Sequence, residues 1–169
     1  YDRLVLDSDL DLYVSFDNVR IGELQARYAV DHLPTPGRGR IVRIFGAPTD
    51  NNARLLKEGQ DRVLAPYLQR GDIQVVHEDW AEDWKQDNAK RILNAAITAR
   101  GARFDAVLAS NDSTAGGAVQ ALIEEGLAGR VMVTGMDAGT VALQRIAGGT
   151  RAMTIYKPLS TLARGAAEL

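Results

Sequence analysis

Short apolar segments typical of buried strands recur along the chain, and three of them are followed by a polar side chain able to bind a ligand. These side chains are Asn111, Asp137 and Lys157, and the segments before them are 106–109, 131–135 and 152–155. The carboxyl ends of parallel strands meet at one edge of a sheet, where ligands bind in open α/β folds. An amide, a carboxylate and an ammonium can together donate to and accept from hydroxyl groups. The pattern therefore predicts a site for a hydroxyl-bearing ligand.

Each of these polar residues also has a purely structural interpretation. Asn111 or Asp112, and likewise Asp137, could cap the helix that follows. Lys157 could be a solvated lysine. Because the three residues follow three consecutive strands, the binding interpretation is favoured over the three separate ones.

The only two tryptophans, Trp80 and Trp84, share one loop between a strand and a helix. They could simply pack over the edge of the sheet. The alternative is a stacking wall for a sugar, because the C–H face of a sugar ring lies well on an indole while its hydroxyls bond to amides and carboxylates. Together with the polar strand ends, an aromatic wall is typical of a sugar site.

Apolar strands alternate with amphipathic helices of ten or more residues, which predicts βαβ units and an α/β fold with a doubly wound parallel sheet. We expect the strand order 2-1-3-4-5, with a further short strand over 13–16. The core strands are predicted to start near Ile41, Ile73, Ala106, Val131 and Ala152, and the second of them is predicted to end at Val76. The helices are predicted over 18–33, 52–69, 87–99, 115–125, from about 140, and over 159–169. Asn18 is predicted to cap the first helix.

Composition and motifs exclude several classes of protein. A net charge of −2 gives no reason to expect nucleic acid as a partner, and the absence of cysteine excludes thiolate chemistry. Nucleophile-elbow and phosphate-loop motifs are absent. His32 and His77 lack metal-ligand spacing and are interpreted as surface or helix-face residues. We therefore expect no catalytic site, no cofactor and no metal.

Short segments spread in order over essentially the whole chain carry a resemblance to a known family. They are 1–3 (YDR), 14–18 (VSFDN), 22–26 (GELQA), 48–53 (PTDNNA), 109–112 (ASND), 114–118 (TAGGA), 135–138 (GMDA) and 153–158 (MTIYKP). These segments resemble the type I periplasmic sugar-binding family, and within it the D-xylose-binding proteins of bacterial ABC transporters.

This resemblance implies two α/β lobes that close on one sugar about a hinge. It implies that Asp2 and Arg3 are the pair from the N-terminal lobe that hydrogen-bonds sugar hydroxyls, and that Trp84 is the stacking aromatic. The residues that match hydrogen-bonding positions of the C-terminal lobe are Asn52, Asn111, Asp137 and Lys157. Arg54 stands where a lysine is usual, which keeps the charge but alters its reach.

Against this family the chain matches one lobe. Residues 1–12 are interpreted as a remnant of the N-terminal lobe with the first crossover, and residues 13–169 as the C-terminal sugar-binding lobe. The chain begins with Tyr1, so we expect a processed product, a designed truncation or a fragment. The family's closing stretch would follow Leu169. With its lobe interface uncovered, an isolated fragment is expected to self-associate.

The function expected from this resemblance is capture of a pentose, D-xylose above others, and its delivery to the membrane subunits of an ABC permease. The expected location is the periplasm, or the cell exterior with a membrane anchor in a bacterium that lacks an outer membrane. Two other classes stay open at this point: the effector-binding core of a sugar-responsive transcription repressor, which needs a helix-turn-helix upstream, and an enzyme on a flavodoxin-like or Rossmann-like sheet, which needs a catalytic constellation.

Overall fold

The computed structural model describes residues 2–4, 6–7 and 9–168, so Tyr1, with which the first resembling segment begins, and Leu169, the predicted last residue of the final helix, lie outside the described residues. Strands and helices alternate along the chain. In order they are α1 (Asn18–His32), β1 (Gly39–Phe45), α2 (Asn51–Gln69), β2 (Ile73–Trp80), a 3₁₀ turn (Glu82–Trp84), α3 (Gln86–Arg100), β3 (Ala106–Ala109), α4 (Asp112–Glu124), β4 (Met132–Val133), α5 (Thr140–Ala147) and α6 (Leu159–Ala167).

The four strands form one parallel sheet in the order β2-β1-β3-β4. Side chains alternate between its faces: Ile41 of β1 packs under α1 and α2, whereas Val42 and Ile44 pack under α3 and α4. Both faces are therefore covered, and β3 is buried along its whole length. The predicted α/β fold with a parallel sheet is confirmed, with the first four strands in the predicted order.

The prediction of a fifth strand is wrong, although residues 152–155 run beside β4. Ala152 and Ile155 donate backbone hydrogen bonds to Val133 and Gly135, at 3.2 and 3.1 Å, and only one isolated parallel bridge forms. The side chain of Thr154 binds the backbone N–H of Ala138. Because side-chain bonds of this kind compete with ladder formation, the segment follows the sheet without joining it regularly.

Smaller differences concern boundaries. Residues 13–16 form no strand, since the backbone ladder there is reduced to one described bond, from Asp2 N to Val14 O at 2.8 Å. Asp17, not Asn18, caps α1 by accepting from Arg20 N. The second strand continues past 76 to Trp80. Trp80 therefore ends a strand and does not lie in the predicted loop with Trp84, and His77 is a half-buried strand residue, neither on a helix face nor fully exposed. Helix α4 begins three residues earlier than predicted because Asn111 caps it.

A buried chain of polar side chains supports the end of β3. Arg43, which is paired with Asp61 at 2.8 Å, donates from Nε to Gln60 Oε1 at 3.2 Å. Gln60 in turn donates to Gln25 Oε1 at 3.0 Å, and Gln25 Nε2 donates to the carbonyl of Ser110 at 2.9 Å. Buried polar groups are tolerated when each finds a partner. This chain fixes the backbone next to Asn111.

Helices α1 and α2 cross at glycines, which lets their backbones touch. A Cβ atom on Gly59 would lie 1.9 Å from the carbonyl oxygen of Val19, and one on Gly22 would lie 2.0 Å from that of Leu56. Both obstacles are backbone atoms, which cannot move aside as a flexible side chain can. The close crossing sets the positions of the two helix N-termini and hence of Asn18 and Asn52. None of the helices formed by the described residues combines the length and apolar composition needed to cross a bilayer.

Gly59→Ala is expected to separate α1 from α2 and to lower the free energy of unfolding by about 1–3 kcal/mol, the usual cost of overpacking. Urea unfolding followed by circular dichroism measures this. The matched control is Gly165→Ala in α6, where a Cβ meets nothing within 4 Å. This control should be neutral or stabilising, because alanine is the better helix former. Equal stability of Gly59→Ala and the unmutated chain would contradict the crossing.

Candidate functional site

All seven residues predicted from the sequence line one cleft of about 110 Å³ at the carboxyl edge of the sheet. They come from the N-terminal segment, the start of α2, the 3₁₀ turn, the loops after β3 and β4, and the segment between α5 and α6. Three further residues complete the lining. The full set is Asp2, Arg3, Asn18, Asp50, Asn52, Trp84, Asn111, Met136, Asp137 and Lys157.

Asn111 serves as a helix cap and lines the cleft at the same time. Its Oδ1 accepts from Thr114 N at 2.9 Å, and the backbone N–H of Asn111 donates to Thr114 Oγ1 at 3.1 Å, which completes a capping box. The structural interpretation of Asn111 is therefore correct. Because the cap uses only the oxygen, the Nδ2 donor has no partner among the described residues and can serve a ligand.

Asp137 and Lys157 form an ion pair in the cleft, with Oδ1 and Nζ 2.9 Å apart. The Lys157 side chain is only 14% exposed, so it is not a solvated lysine, and its Nζ lies 5.5 Å from the centre of the Phe16 ring. Asp137 does not cap α5, whose N-cap is Gly139 without a side-chain bond. Asp137 instead has a left-handed φ of 107° that places it in the loop above the sheet edge.

The surroundings of Asp137 change its acidity. Burial raises the pKa of the Asp137 carboxyl above its ordinary value of 3.8, and the negative charges of Asp112 and Asp2 act in the same direction. The hydrogen bond and the charge of Lys157 oppose this rise. An acceptor held in such surroundings gains from further hydrogen-bond donors.

Asn52 has an orientation fixed by its own hydrogen bond. Its Nδ2 donates to the carbonyl oxygen of Asp2 at 3.2 Å, so the amide cannot be turned over without losing this bond. The residue is buried, and its Oδ1 has no hydrogen-bond partner among the described residues. A buried unpartnered acceptor is costly, and a hydroxyl that donates to it removes the cost.

The backbone of Asp2 closes one side of the cleft. Its carbonyl also accepts from Tyr13 Oη at 3.0 Å and from Ser15 Oγ at 2.8 Å. Arg3 is more loosely held, with a side chain 67% exposed and its Nε 3.3 Å from Asp50 Oδ2. Arg54 donates to the carbonyl of Pro48 on the exposed surface and does not line the cleft.

The two tryptophans have different roles. Trp80 packs against Phe45, with ring centres 4.9 Å apart, and lies outside the cleft. Trp84 is half-buried in the cleft wall and donates from Nε1 to Asp50 Oδ2 at 3.0 Å. Its ring lies directly over Gly46, where a Cβ would come within 2.3 Å of ring carbons. The structural interpretation therefore holds for Trp80, whereas Trp84 presents an indole to the cleft.

Sequence reasoning missed three residues of the cleft. Asp50 follows the end of β1 and caps α2, so the rule that found Asn111 could also have found it. Asn18 had been interpreted only as a helix cap and is in fact a buried first residue of α1 that lines the cleft. Met136 is buried and apolar, and nothing in its residue type distinguishes it from the core.

A carboxylate behind the cleft holds the Asp137 loop in place. Asp112 accepts from the backbone N–H of Gly139 at 2.8 Å, from Thr154 Oγ1 at 2.7 Å and from the guanidinium of Arg151. Arg151 is fully enclosed, and burial lowers the pKa of its guanidinium, while the charge of Asp112 counteracts this shift. The pair ties the loop after β4 to the start of α4.

The cleft thus offers donors from Asn111 and Lys157, acceptors from Asn52 and Asp137, and an aromatic face from Trp84. This mixture suits hydroxyl groups, each of which donates and accepts. Among residues 2–4, 6–7 and 9–168 no group of three or more metal-ligating side chains comes together. The chemistry that these side chains support is recognition by hydrogen bonding and stacking.

Comparison with known proteins agrees with this geometry. The chain is 48% identical to the D-xylose-binding periplasmic protein of Escherichia coli K12 and 47% identical to that of Haemophilus influenzae, in both cases over all 169 residues. It spans about half the length of each of these curated relatives. A carbohydrate transporter solute-binding protein of Chloroflexus aurantiacus, solved in complex with D-glucose, matches with a TM-score of 0.89 at 30% identity, over 99% of this chain and 57% of that one.

These relatives are named for binding sugars and not for catalysis, and the solved structure shares the α/β architecture described above. The protein-family model described as periplasmic binding protein domain matches residues 1–169, which is the entire chain. The chain therefore belongs to the periplasmic binding protein family, within which it is similar to sugar-binding transport proteins and not to enzymes.

Proposed function

We propose that this chain is the C-terminal lobe, with a short remnant of the N-terminal lobe, of a periplasmic protein that captures a pentose for an ABC permease. The observation that carries the proposal is the single cleft lined by all seven residues picked from the sequence. These residues are Asp2, Arg3, Asn52, Trp84, Asn111, Asp137 and Lys157. We assign them to direct sugar contacts.

D-xylose is the pentose we propose, because the two relatives at 47–48% identity are both named for binding it. The unpaired groups of the cleft fit such a ligand. One hydroxyl can donate to Asn52 Oδ1, another can accept from Asn111 Nδ2, and the Asp137 carboxylate can accept from two more. The face of Trp84 covers the C–H side of the ring.

Capture proceeds by closure of two lobes about a hinge. A sugar bound to this lobe leaves its opposite side in water until the second lobe covers it. The ligand therefore stabilises the closed state, because only there does it contact both lobes. The closed form is the one that a permease in the membrane can distinguish from the empty protein.

Calorimetric titration of the full-length protein with D-xylose, L-arabinose and D-ribose tests the proposal. We expect the tightest binding for D-xylose, since the three sugars differ in the orientation of single hydroxyls and a mismatched hydroxyl leaves a buried partner unpaired. No heat of binding with any of the three would overturn the proposal. Tighter binding of another pentose would overturn the assignment of D-xylose only.

Asp137→Ala should weaken D-xylose binding at least about tenfold. A carboxylate that accepts two hydroxyls makes charge-assisted bonds of roughly 1.5–3 kcal/mol each, and about 1.4 kcal/mol is one decade in affinity. Asp137→Asn keeps the shape and isolates the charge. Glu124→Gln is the control, because Glu124 pairs with Lys90 at 2.7 Å on the surface far from the cleft. An affinity of Asp137→Ala within twofold of that of the unmutated protein would contradict the proposed contact between Asp137 and the sugar.

The raised pKa of Asp137 predicts a pH dependence. Carbon-detected NMR of the ligand-free protein should show this carboxyl titrating above 3.8, and xylose affinity should fall as the pH drops through that midpoint. Protonation removes the charge that strengthens the bonds to hydroxyls.

The free energy of unfolding is expected to depend on pH in the opposite direction. Because the pKa of Asp137 is raised in the folded state, its contribution to stability is fully present below its unfolded-state pKa and is lost as the pH rises through its folded-state pKa. Asp137→Asn should abolish both dependences, and a midpoint below 3.8 would contradict them.

The isolated 169-residue chain should bind D-xylose only at millimolar concentration or more weakly. It keeps one side of the site, and each loss of about 1.4 kcal/mol costs a decade in affinity. Micromolar affinity measured by calorimetry would refute this expectation.

We also propose that the isolated chain self-associates. Leu6, Leu10 and Leu12 are each about half exposed in the N-terminal segment, and β2 is an edge strand of the sheet. Exposed apolar groups and strand edges favour pairing between chains. Light scattering over a concentration series should show an average mass that rises above that of a monomer. A constant monomer mass at high concentration would contradict the proposal.

A further inference from the structure

One buried carboxylate, that of Asp50, contacts three of the proposed sugar-binding residues. Its Oδ1 accepts from the backbone N–H of Asn52 at 2.9 Å, and its Oδ2 accepts from Trp84 Nε1 at 3.0 Å. The Nε of Arg3 lies 3.3 Å from the same Oδ2. The Asp50 side chain is only 8% exposed, so its carboxylate is shielded from solvent, although the Arg3 side chain is 67% exposed. Asn52, Trp84 and Arg3 belong to three different segments of the chain.

The plane of the Trp84 ring depends on this contact. Trp84 and its neighbour Asp83 have left-handed φ angles of 58° and 54°, so the backbone of the turn is in a conformation that such residues seldom adopt alone. The backbone of Gly46 limits the ring on one side, since even an added Cβ there would lie 2.3 Å from ring carbons. The bond from Nε1 to Asp50 fixes the remaining rotation of the indole.

The charge of Asp50 also matters for Arg3. The guanidinium of Arg3 lies near the N-terminus of α2, where the helix dipole is positive and repels a cation. Asp50 is the carboxylate that pairs with Arg3 among the described residues. Asparagine can replace Asp50 as a helix cap, but it cannot neutralise Arg3 or accept from Trp84 and Arg3 with the same strength.

We infer that Asp50 is a positioning residue of the sugar site, which sets the plane of Trp84 and holds Arg3 over the cleft. Its effect on sugar affinity rests on the proposed function, whereas its effect on Trp84 is measurable without any ligand. Asp50 acts through Trp84 and Arg3, whose side chains meet the sugar.

Asp50→Asn in the full-length protein tests this inference, with Asp17→Asn as the matched control. Asp17 caps α1 by accepting from Arg20 N at 2.8 Å and is exposed. Both variants keep a capping residue and lose one negative charge. The indole N–H signal of Trp84 is assigned in nitrogen-15 NMR spectra by its loss in Trp84→Phe.

In the Asp50→Asn variant this resonance should move upfield, and the indole proton should exchange faster with water. The dissociation constant of the Asp50→Asn variant for D-xylose should rise about tenfold. Asp17→Asn should leave the resonance in place and the affinity within twofold.

A double-mutant cycle separates positioning from a general loss of structure. Trp84→Phe removes the indole N–H and leaves Asp50 in place, so the penalty of Asp50→Asn should be smaller in the Trp84→Phe background. An unmoved Trp84 resonance, an unchanged affinity or fully additive penalties would each overturn the inference. If the unmutated protein bound no sugar, the proposed function would fail, and the Trp84 resonance alone would still decide whether Asp50 orients the indole.

Discussion

The geometry of the cleft depends on one interaction behind it, that of the Asp112 carboxylate with its three donors. The loop after β4 has left-handed φ angles at Asp137 and Ala138, and no regular ladder satisfies its backbone. Asp112 accepts from Gly139 N, from Thr154 and from the enclosed Arg151. Removing one partner of a buried ion pair commonly costs about 3–5 kcal/mol, because the other charge is left unpaired. The position of Asp137 is therefore fixed from behind, by residues that a ligand does not reach.

The sequence was sufficient to predict the elements that bury apolar residues on both faces. Strands β1 and β3 and helices α1 to α3 follow their hydrophobic periodicity, and the strand order follows from right-handed crossovers. The predicted cleft residues follow from the rule that parallel strands share one carboxyl edge, and from the family resemblance. Predictions failed where tertiary hydrogen bonds decide the backbone. Thr154 and Arg151 bind Asp112 instead of extending the sheet, and Asp50 receives the Trp84 indole from a distant turn.

Two features of the ligand-free cleft lower the stability of the fold. The carboxyl of Asp137 is held where burial and two other acidic residues raise its pKa, and Asn52 Oδ1 is buried without a partner. Both features oppose stability and both are relieved by hydroxyl donors. Residues that a core would not tolerate are thus concentrated at the sheet edge, which is expected of a site shaped for a ligand and not for folding.

The polar side chains of the cleft are held in place before any ligand binds, and this rigidity affects both affinity and selectivity. Asn111 is held by its capping box, Asn52 by its bond to Asp2, and Lys157 by its pair with Asp137, so these side chains lose little conformational freedom when a ligand arrives. Because ordering costs are met during folding, more of each new hydrogen bond contributes to affinity. The same rigidity restricts which hydroxyl orientations fit. On the function proposed above, such a lobe selects its sugar by fixed geometry, and the movement needed for capture is left to the hinge.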